Sequence, residues 1–408
     1  MAADSSYAGE YQPGWSLDRW YYTDPAAFDV DMKRIFMRYW LCAGHTSRLR
    51  RPGDYFTFEF ANESLIITRG EDEKIHALSN VCRHRGSRIC TQDSGHAKKL
   101  VCPYHQWVYD AEGRLLNARL MPPGFDRAAF GLERAFCRAG EGLIFVSLAD
   151  HPPDFIPFEE EIIPRLKPHG LEGTKICYTR TYHVKANWKV VLENSRECYH
   201  CGRGHPQYCR AVGFAAAIDS PEVAAEEMVH AAENQELFRG QEIDPSPVPF
   251  LPDTWYHCRR FLLRNGYASE SMDGNAVAPL MGSIATPYVG VLAVVTLPNL
   301  LLEVSSDYAV LVRVAPVSAL VTKVDMDWLI KEDAVEGKDY DLNRVTDFWK
   351  LTAEQDWRLC EDNQAGINSS RYRPGPYSSA ETGVMHFAQW YMNHVGCLGT
   401  KGGRENHE

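Results

Sequence analysis

Two short stretches decide the fold: Cys82-Arg83-His84 and, with seventeen residues between, Cys102-Pro103-Tyr104-His105. Each offers one thiolate and one imidazole at close spacing. They are set in short alternating segments, 54–60 (DYFTFEF), 63–70 (ESLIITRG) and 74–81 (KIHALSNV). After them come 99–110 (KLVCPYHQWVYD) and 114–120 (RLLNARL), either side of the turn Ala111-Glu112-Gly113. That texture predicts a small all-β unit ending near Leu148, with two hairpin tips that clasp one inorganic centre.

Zinc also takes two cysteines and two histidines, so zinc is the first competitor. Zinc sites usually pair like with like, whereas here each loop supplies one ligand of each kind. That suits a cluster of two unlike irons, with thiolates on one and imidazoles on the other. Cys-x-His-x17-Cys-x2-His resembles the Rieske [2Fe–2S] motif in both spacing and setting. Exchanging two thiolates for neutral imidazoles raises the reduction potential, which makes such a centre a relay. The bland alternative, buried cysteines and surface histidines at coincidental spacing, leaves four matches unexplained. Arg83, Arg85 and Trp107 around the motif read as packing and solubility features.

A second constellation lies at 187–206, NWKVVLENSRECYHCGRGHP. Helical spacing of Trp188, Val191, Leu192 and Ser195 predicts a helix from Trp188 that delivers His200 at its end. Gly202, Gly204 and Pro206 break it, so His205 comes from the following turn and can fold back toward His200. Cys198, His200, Cys201 and His205 also read as a compact zinc knot, although that would coordinate with strain.

This segment is similar to the catalytic domain of Rieske non-haem iron oxygenases, the ring-hydroxylating oxygenase α-subunit superfamily. The resemblance implies a mononuclear Fe(II) held by His200, His205 and a distant carboxylate, in a facial triad with open positions for O2. Within 350–367 (KLTAEQDWRLCEDNQAGI) the matching position is Asp356, with Glu354, Glu361 and Asp362 as neighbouring competitors. It further implies that Glu197 bridges a cluster histidine of one subunit and a mononuclear-site histidine of the next in a homotrimer. A surface acid on the helix is the plain alternative. Glutamate rather than aspartate at this position is usual in the branch that oxidises quaternary ammonium compounds.

The stretches 331–349 and 372–391 look like the group that oxidises glycine betaine and proline betaine (stachydrine). The resemblance therefore implies hydroxylation of an N-methyl group using O2, with release of formaldehyde and the demethylated amine. Carnitine or choline oxidation and aromatic-ring dioxygenation are the alternatives within the superfamily. Outside it stand a pure electron-transfer Rieske protein and a zinc-stabilised binding module. A cationic nitrogen that cannot donate hydrogen bonds is best held by aromatic faces. Tyr199, Tyr208, Trp255, Tyr256, Phe348 and Trp349 are candidates, most of them core. No dinucleotide fingerprint is present, so a separate NADH-dependent flavin and [2Fe–2S] reductase is implied.

Around these motifs the chain reads as α+β. The strand candidates 175–185, 289–297, 301–307, 309–317 and 320–330 follow one another directly, which predicts an antiparallel sheet. By resemblance this is a helix-grip catalytic domain. Helices are predicted from Tyr22 to Tyr39, from Trp188 to His200, from Leu342 to Asn363 and from Glu381 to His394. The expected organisation is an N-terminal helical segment packing on the catalytic domain (1–42), a Rieske domain (43–150) and a catalytic domain (151–408). The proline-rich stretch 151–170 is read as a linker or an irregular connection at the domain boundary, and 399–408 as a loose tail.

The 408-residue chain has 24% charged residues and a net charge of −11, which speaks against a nucleic-acid surface and is compatible with a cationic substrate. No apolar run reaches membrane-spanning length, and the most hydrophobic stretch, 289–304, is interrupted by Pro298, Asn299 and Glu303. The first residues lack a signal-peptide pattern, so a cytoplasmic chain is expected. Twelve cysteines are too few for a disulfide scaffold, and the compartment reads as reducing.

Overall fold

A computed structural model describes residues 11–396 apart from 219, 234, 242 and 252, so the tail at 399–408 lies outside the described residues. In chain order the strands are β1 (Leu41–His45), β2 (Asp54–Phe60), β3 (Glu63–Arg69), β4 (Ile75–Ser79), β5 (Ser94–His96), β6 (Leu100–Val101), β7 (Val108–Tyr109) and β8 (Leu115–Asn117). They continue with β9 (Arg134–Gly140), β10 (Leu143–Ser147), β11 (Thr174–Val184), β12 (Tyr256–Phe261), β13 (Val291–Thr296), β14 (Leu300–Val304), β15 (Tyr308–Ser318) and β16 (Val321–Lys331). One antiparallel sheet runs β1-β10-β9-β4-β3-β2-β5, and the small sheet β6-β7-β8 carries the second cysteine loop. The third is the six-stranded sheet β11-β16-β15-β14-β13-β12. The fold is α+β, as the patterning predicts.

The two halves share hydrogen bonds between their sheets. Arg313 on β15 donates to the Ala43 carbonyl on β1 (2.6 Å) and to Asp327 on β16 (2.8 Å), and Arg48 donates to the same carboxylate. Asn299 bonds both the N–H and the carbonyl of Cys42.

Three elements differ from expectation. The single helix expected from Tyr22 to Tyr39 is instead Arg19–Thr23, then Pro25–Asp31, then a wide turn Met32–Phe36. Asp24 accepts from the Ala26 N–H and Pro25 occupies the first turn, so a new helix starts where a continuous one was expected. The proline-rich stretch is not irregular. It forms short helical turns at Ile156–Glu161, Ile163–Leu166 and Lys167–His169, each with proline in its first turn, where a missing N–H costs nothing. The helix from Trp188 ends at Asn194, well before His200.

A buried ion pair ties the N-terminal helices to the core of the C-terminal half. Asp31 receives bonds from Lys189 Nζ, Trp188 Nε1 (2.9 Å) and the Tyr391 hydroxyl (2.7 Å), and the Asp31 and Lys189 side chains are fully buried. Burial pushes the carboxyl up and the ammonium down, and their mutual bonding opposes both shifts. Removing one partner leaves an uncompensated buried charge, at a cost of about 3–5 kcal/mol. Asp31→Ala should therefore lower the denaturant midpoint, and replacing both residues with apolar ones should recover most of the loss. An unchanged midpoint for Asp31→Ala would contradict this account.

Candidate metal centres and the cavity between sheet and helices

The two cysteine loops have the same backbone. The Cys82 N–H donates to the Ser87 carbonyl and Gly86 N–H returns to the Cys82 carbonyl. Cys102, Trp107 and Gln106 repeat both bonds at the same offsets. The fifth residue of each loop, Gly86 or Gln106, takes positive φ (79° and 60°), which closes the turn. The shared geometry converges two thiols and two imidazoles. Cys82 and Cys102 are buried at 2% and 1% exposure and interact with each other, while His84 and His105 bring their Nδ1 atoms to 3.1 Å. Thiolates inward and imidazoles outward is the polarity a relay requires. Val81, Val101 and Tyr104 stand exposed around the imidazoles.

Trp107 is buried and stacks on His84 at 4.9 Å with an 11° interplanar angle, a packing role as expected. One contact escaped the sequence reading. The Tyr109 hydroxyl lies 3.3 Å from Cys82 Sγ and accepts from the Arg83 N–H. Its only sequence signal was a polar tip in an apolar strand.

At the second constellation the helix stops because Ser195 Oγ donates to the Leu192 carbonyl (2.7 Å) and Glu197 gathers the N–H groups of Tyr199 and His200. This turn places His200 at the start of Cys201–Gly204. Pro206 excludes helical geometry at the preceding residue, so His205 adopts φ −135°, ψ 69° and turns back. Asp356 arrives from the helix Leu342–Ile367.

The three donor atoms converge. His200 Nε2 is 3.1 Å from His205 Nε2 and 3.2 Å from Asp356 Oδ1, and His205 Nε2 is 2.8 Å from that oxygen. Neighbouring ligands on metal bonds of about 2.1 Å stand about 3.0 Å apart, so the triangle matches one face of a coordination shell. Burial pushes the His200 imidazole down, but bonds with Asp356 and Glu197 lift it to about 9. Burial raises Asp356, and the two imidazoles pull it below its usual value. The surroundings thus favour positive charge among these donors, which fits a divalent metal.

Both histidines are aimed from behind. Glu197 Oε1 accepts from His200 Nδ1 at 2.6 Å, and Gln355 Oε1 accepts from His205 Nδ1 at 2.8 Å while also receiving Gln207 Nε2. Such bonds fix the tautomer that presents Nε2 to a metal. Gln355 was missed. The readable signal was Thr352, Gln355 and Asp356 on one helical face, at i, i+3 and i+4.

Among the competing acids, Glu354 and Asp362 are exposed and Glu361 accepts from the Lys185 N–H. The zinc knot is disfavoured in a specific way. Cys201 lies within 4.8 Å of both histidines, but its sulfur is bonded to Cys198, leaving neither thiolate free.

A cavity of about 370 Å³ opens beside the triad. Of the six aromatic candidates, Tyr208 and Trp349 line it. Trp255 and Tyr256 pack against Phe158 elsewhere, Phe348 is buried behind Tyr208, and Tyr199 is 57% exposed. Phe214, Phe250 and Trp357 also line the cavity and were not foreseen. Among the described residues no helix is long and apolar enough to cross a membrane.

Comparison with known proteins agrees with this geometry. Residues 39–131 match the Rieske [2Fe-2S] domain, and residues 171–396 match the ring hydroxylating alpha subunit (catalytic domain). The glycine betaine monooxygenase oxygenase subunit of Pseudomonas aeruginosa (strain PAO1) is 37% identical over 387 residues, covering 93% of this chain and 89% of that protein. The corresponding subunit of Chromohalobacter salexigens is 38% identical over 390 residues, covering 93% and 85%. A quaternary ammonium Rieske monooxygenase, described for carnitine oxidation and inter-subunit electron transfer, superposes with a TM-score of 0.73. At 20% identity, over 96% of this chain and 100% of that one, it supports the fold. With both domain families present and the similarity sustained along its length, the chain belongs to the Rieske non-haem iron oxygenases of the ring-hydroxylating α-subunit type, in the branch that holds the glycine betaine monooxygenase oxygenase subunits.

Proposed function

We propose that this chain is an oxygenase component that hydroxylates an N-methyl group of a small quaternary ammonium compound, with glycine betaine and proline betaine as the leading substrates. The observation that carries the reading is the triad His200, His205 and Asp356 opening onto a cavity faced by Tyr208 and Trp349. The 37% identity with a glycine betaine monooxygenase subunit supports the substrate class. Cys82, His84, Cys102 and His105 would hold a [2Fe–2S] cluster, and His200, His205 and Asp356 a mononuclear iron. So loaded, the cluster would supply electron relay from a separate NADH-dependent flavin and iron–sulfur reductase, and the iron would supply dioxygen activation.

The chain's own groups do the positioning. Glu197 and Gln355 hold the Nδ1 protons of the two histidines. Tyr208 and Trp349 offer π faces to a cation that cannot donate hydrogen bonds. The balance is one dioxygen, two electrons and two protons, converting N–CH3 to N–CH2OH and water. The carbinol then breaks its C–N bond to give formaldehyde, the tertiary amine and a proton. In this reading Glu197 also accepts from a cluster histidine of a neighbouring subunit in a homotrimer, so that electrons cross between chains. The exposed apolar rim around His84 and His105 suits such docking.

Three measurements test the reading. With a reductase and NADH, at least one of glycine betaine, proline betaine, carnitine and choline should yield formaldehyde. None from all four would refute it, and a cis-diol from an aromatic hydrocarbon would identify a ring dioxygenase instead. Asp356→Ala should reduce bound iron from about three atoms per chain to about two with the cluster's visible absorption intact; loss of that absorption would place Asp356 elsewhere. Glu197→Ala should keep both centres yet slow cluster oxidation during turnover by at least about tenfold. Full activity in that variant would remove Glu197 from the path.

A further inference from the structure

Strand register puts two rows of side chains on the cavity floor. Residues directly opposite one another across antiparallel strands share a face. One row runs His257, Val295, Leu301, Val312, Met326, and the other runs Arg259, Ala293, Glu303. All eight line the cavity beside the triad.

The shorter row has an unusual composition for a sheet floor. A cation and an anion stand two strands apart, about 10 Å between backbones, with only a methyl group between them. They do not form an ion pair. The Arg259 guanidinium lies over the Phe214 ring at 4.4 Å instead. Glu303 has no hydrogen-bond or ion-pair partner among the described residues, and its Oε2 is buried and unsatisfied. A carboxylate in that condition is costly unless a cation reaches it.

Beyond Glu303 stands a fully buried acid, Glu270. Its Oε2 accepts from Trp349 Nε1 at 3.2 Å, and its Oε1 is also unsatisfied. Arg259 belongs to a basic group. The Arg196 guanidinium donates to His257 Nε2 at 3.1 Å, and His386 lines the same wall. The cavity is thus acidic toward Tyr208 and Trp349, beside the triad, and basic toward Arg259 and Arg196.

We propose that Glu303 is the residue that selects a cationic substrate, its carboxylate facing the quaternary nitrogen, while Arg259 across Ala293 faces the carboxylate of the same zwitterion. The inference rests on the quaternary-ammonium reading above and narrows it to betaines. Choline, which lacks a carboxylate, leaves the Arg259 side unmatched. Aromatic faces alone favour any cation; the opposed charges demand one with an anionic end at short range. Burial pushes the Glu303 and Glu270 carboxyls up and Arg259 holds Glu303 down, the balance a cationic ligand would tip further toward the ionised form.

The probes are glycine betaine and its neutral-headed isostere 3,3-dimethylbutanoate, which replaces the ammonium nitrogen with carbon. Wild-type protein should bind the betaine more tightly than the isostere. Glu303→Gln keeps the shape and removes the charge. It should weaken betaine binding about tenfold or more and leave isostere binding unchanged or stronger, with the cluster absorption intact. Glu303→Asp should restore the preference for the cation. Arg259→Gln should weaken both probes yet spare choline. Should Glu303→Gln retain the wild-type preference, the pair of acids is only a proton-sharing structural element and the proposal is wrong. If Glu303→Gln does not fold, Glu303→Asp and Arg259→Gln decide: loss of cation preference in the former or unchanged probe binding in the latter overturns it. Failure of wild-type protein to bind or turn over any quaternary ammonium compound would instead refute the underlying function, so the two failures are distinct.

Discussion

Two imidazoles and a carboxylate held within about 3 Å of one another set the terms for the rest of the catalytic half. Such donors repel or misalign unless they are held in place, and a turn and one long helix hold them. Glu197 takes His200 Nδ1 from the turn before it, Gln355 takes His205 Nδ1 from the long helix, and Asp356 sits beside Gln355 on that helix. The irregular path from Asn194 to Pro206 follows from this demand. A continuous helix would send His200 and His205, five residues apart, to different faces. The chain breaks twice, at Ser195 and at Pro206, and both histidines then point at one place.

The same logic explains the depth of the anchoring. A triad built from a turn and a distant helix is only as well placed as the helices that carry it. Helix Trp188–Asn194 is pinned by the Asp31, Lys189 and Trp188 bonds and by the Tyr391 hydroxyl, and the Asn187 N–H donates to Gln364 of the long helix at 2.9 Å. Polar groups in a core are expensive, and their use here fixes register between helices that apolar packing alone would leave free to slide.

How much of this was readable depends on the range of the interaction. The cysteine loops were legible because every ligand candidate lies within a hairpin's length of its neighbour, and the repeated spacing maps onto a repeated backbone. The His200 and His205 pair was legible for the same reason, although the expected helix through His200 overlooked Ser195 and Glu197 as competitors for the backbone. Asp356, about 150 residues away, was reachable only through family resemblance, since on helical periodicity Glu354, Glu361 and Asp362 are equally plausible. Strand β12, with its His-Cys-Arg-Arg run, lacked the apolar alternation that marks a strand, because its inner face turns His257 and Arg259 to the cavity.

Glu303 shows the limit most clearly. Within the sequence it is one charge interrupting the hydrophobic stretch 289–304, useful chiefly as an argument against a membrane span. Register turns that interruption into position. Alternation on β14 turns Glu303 and Leu301 to the cavity and Leu300, Leu302 and Val304 to the core, and pairing across β13 to β12 sets Arg259 opposite with Ala293 between. An acid that would be a defect in a core strand becomes intelligible once the space beyond it belongs to a ligand. The most informative departures from apolar patterning are therefore those whose side chains, once the sheet is assembled, face a cavity and meet no partner.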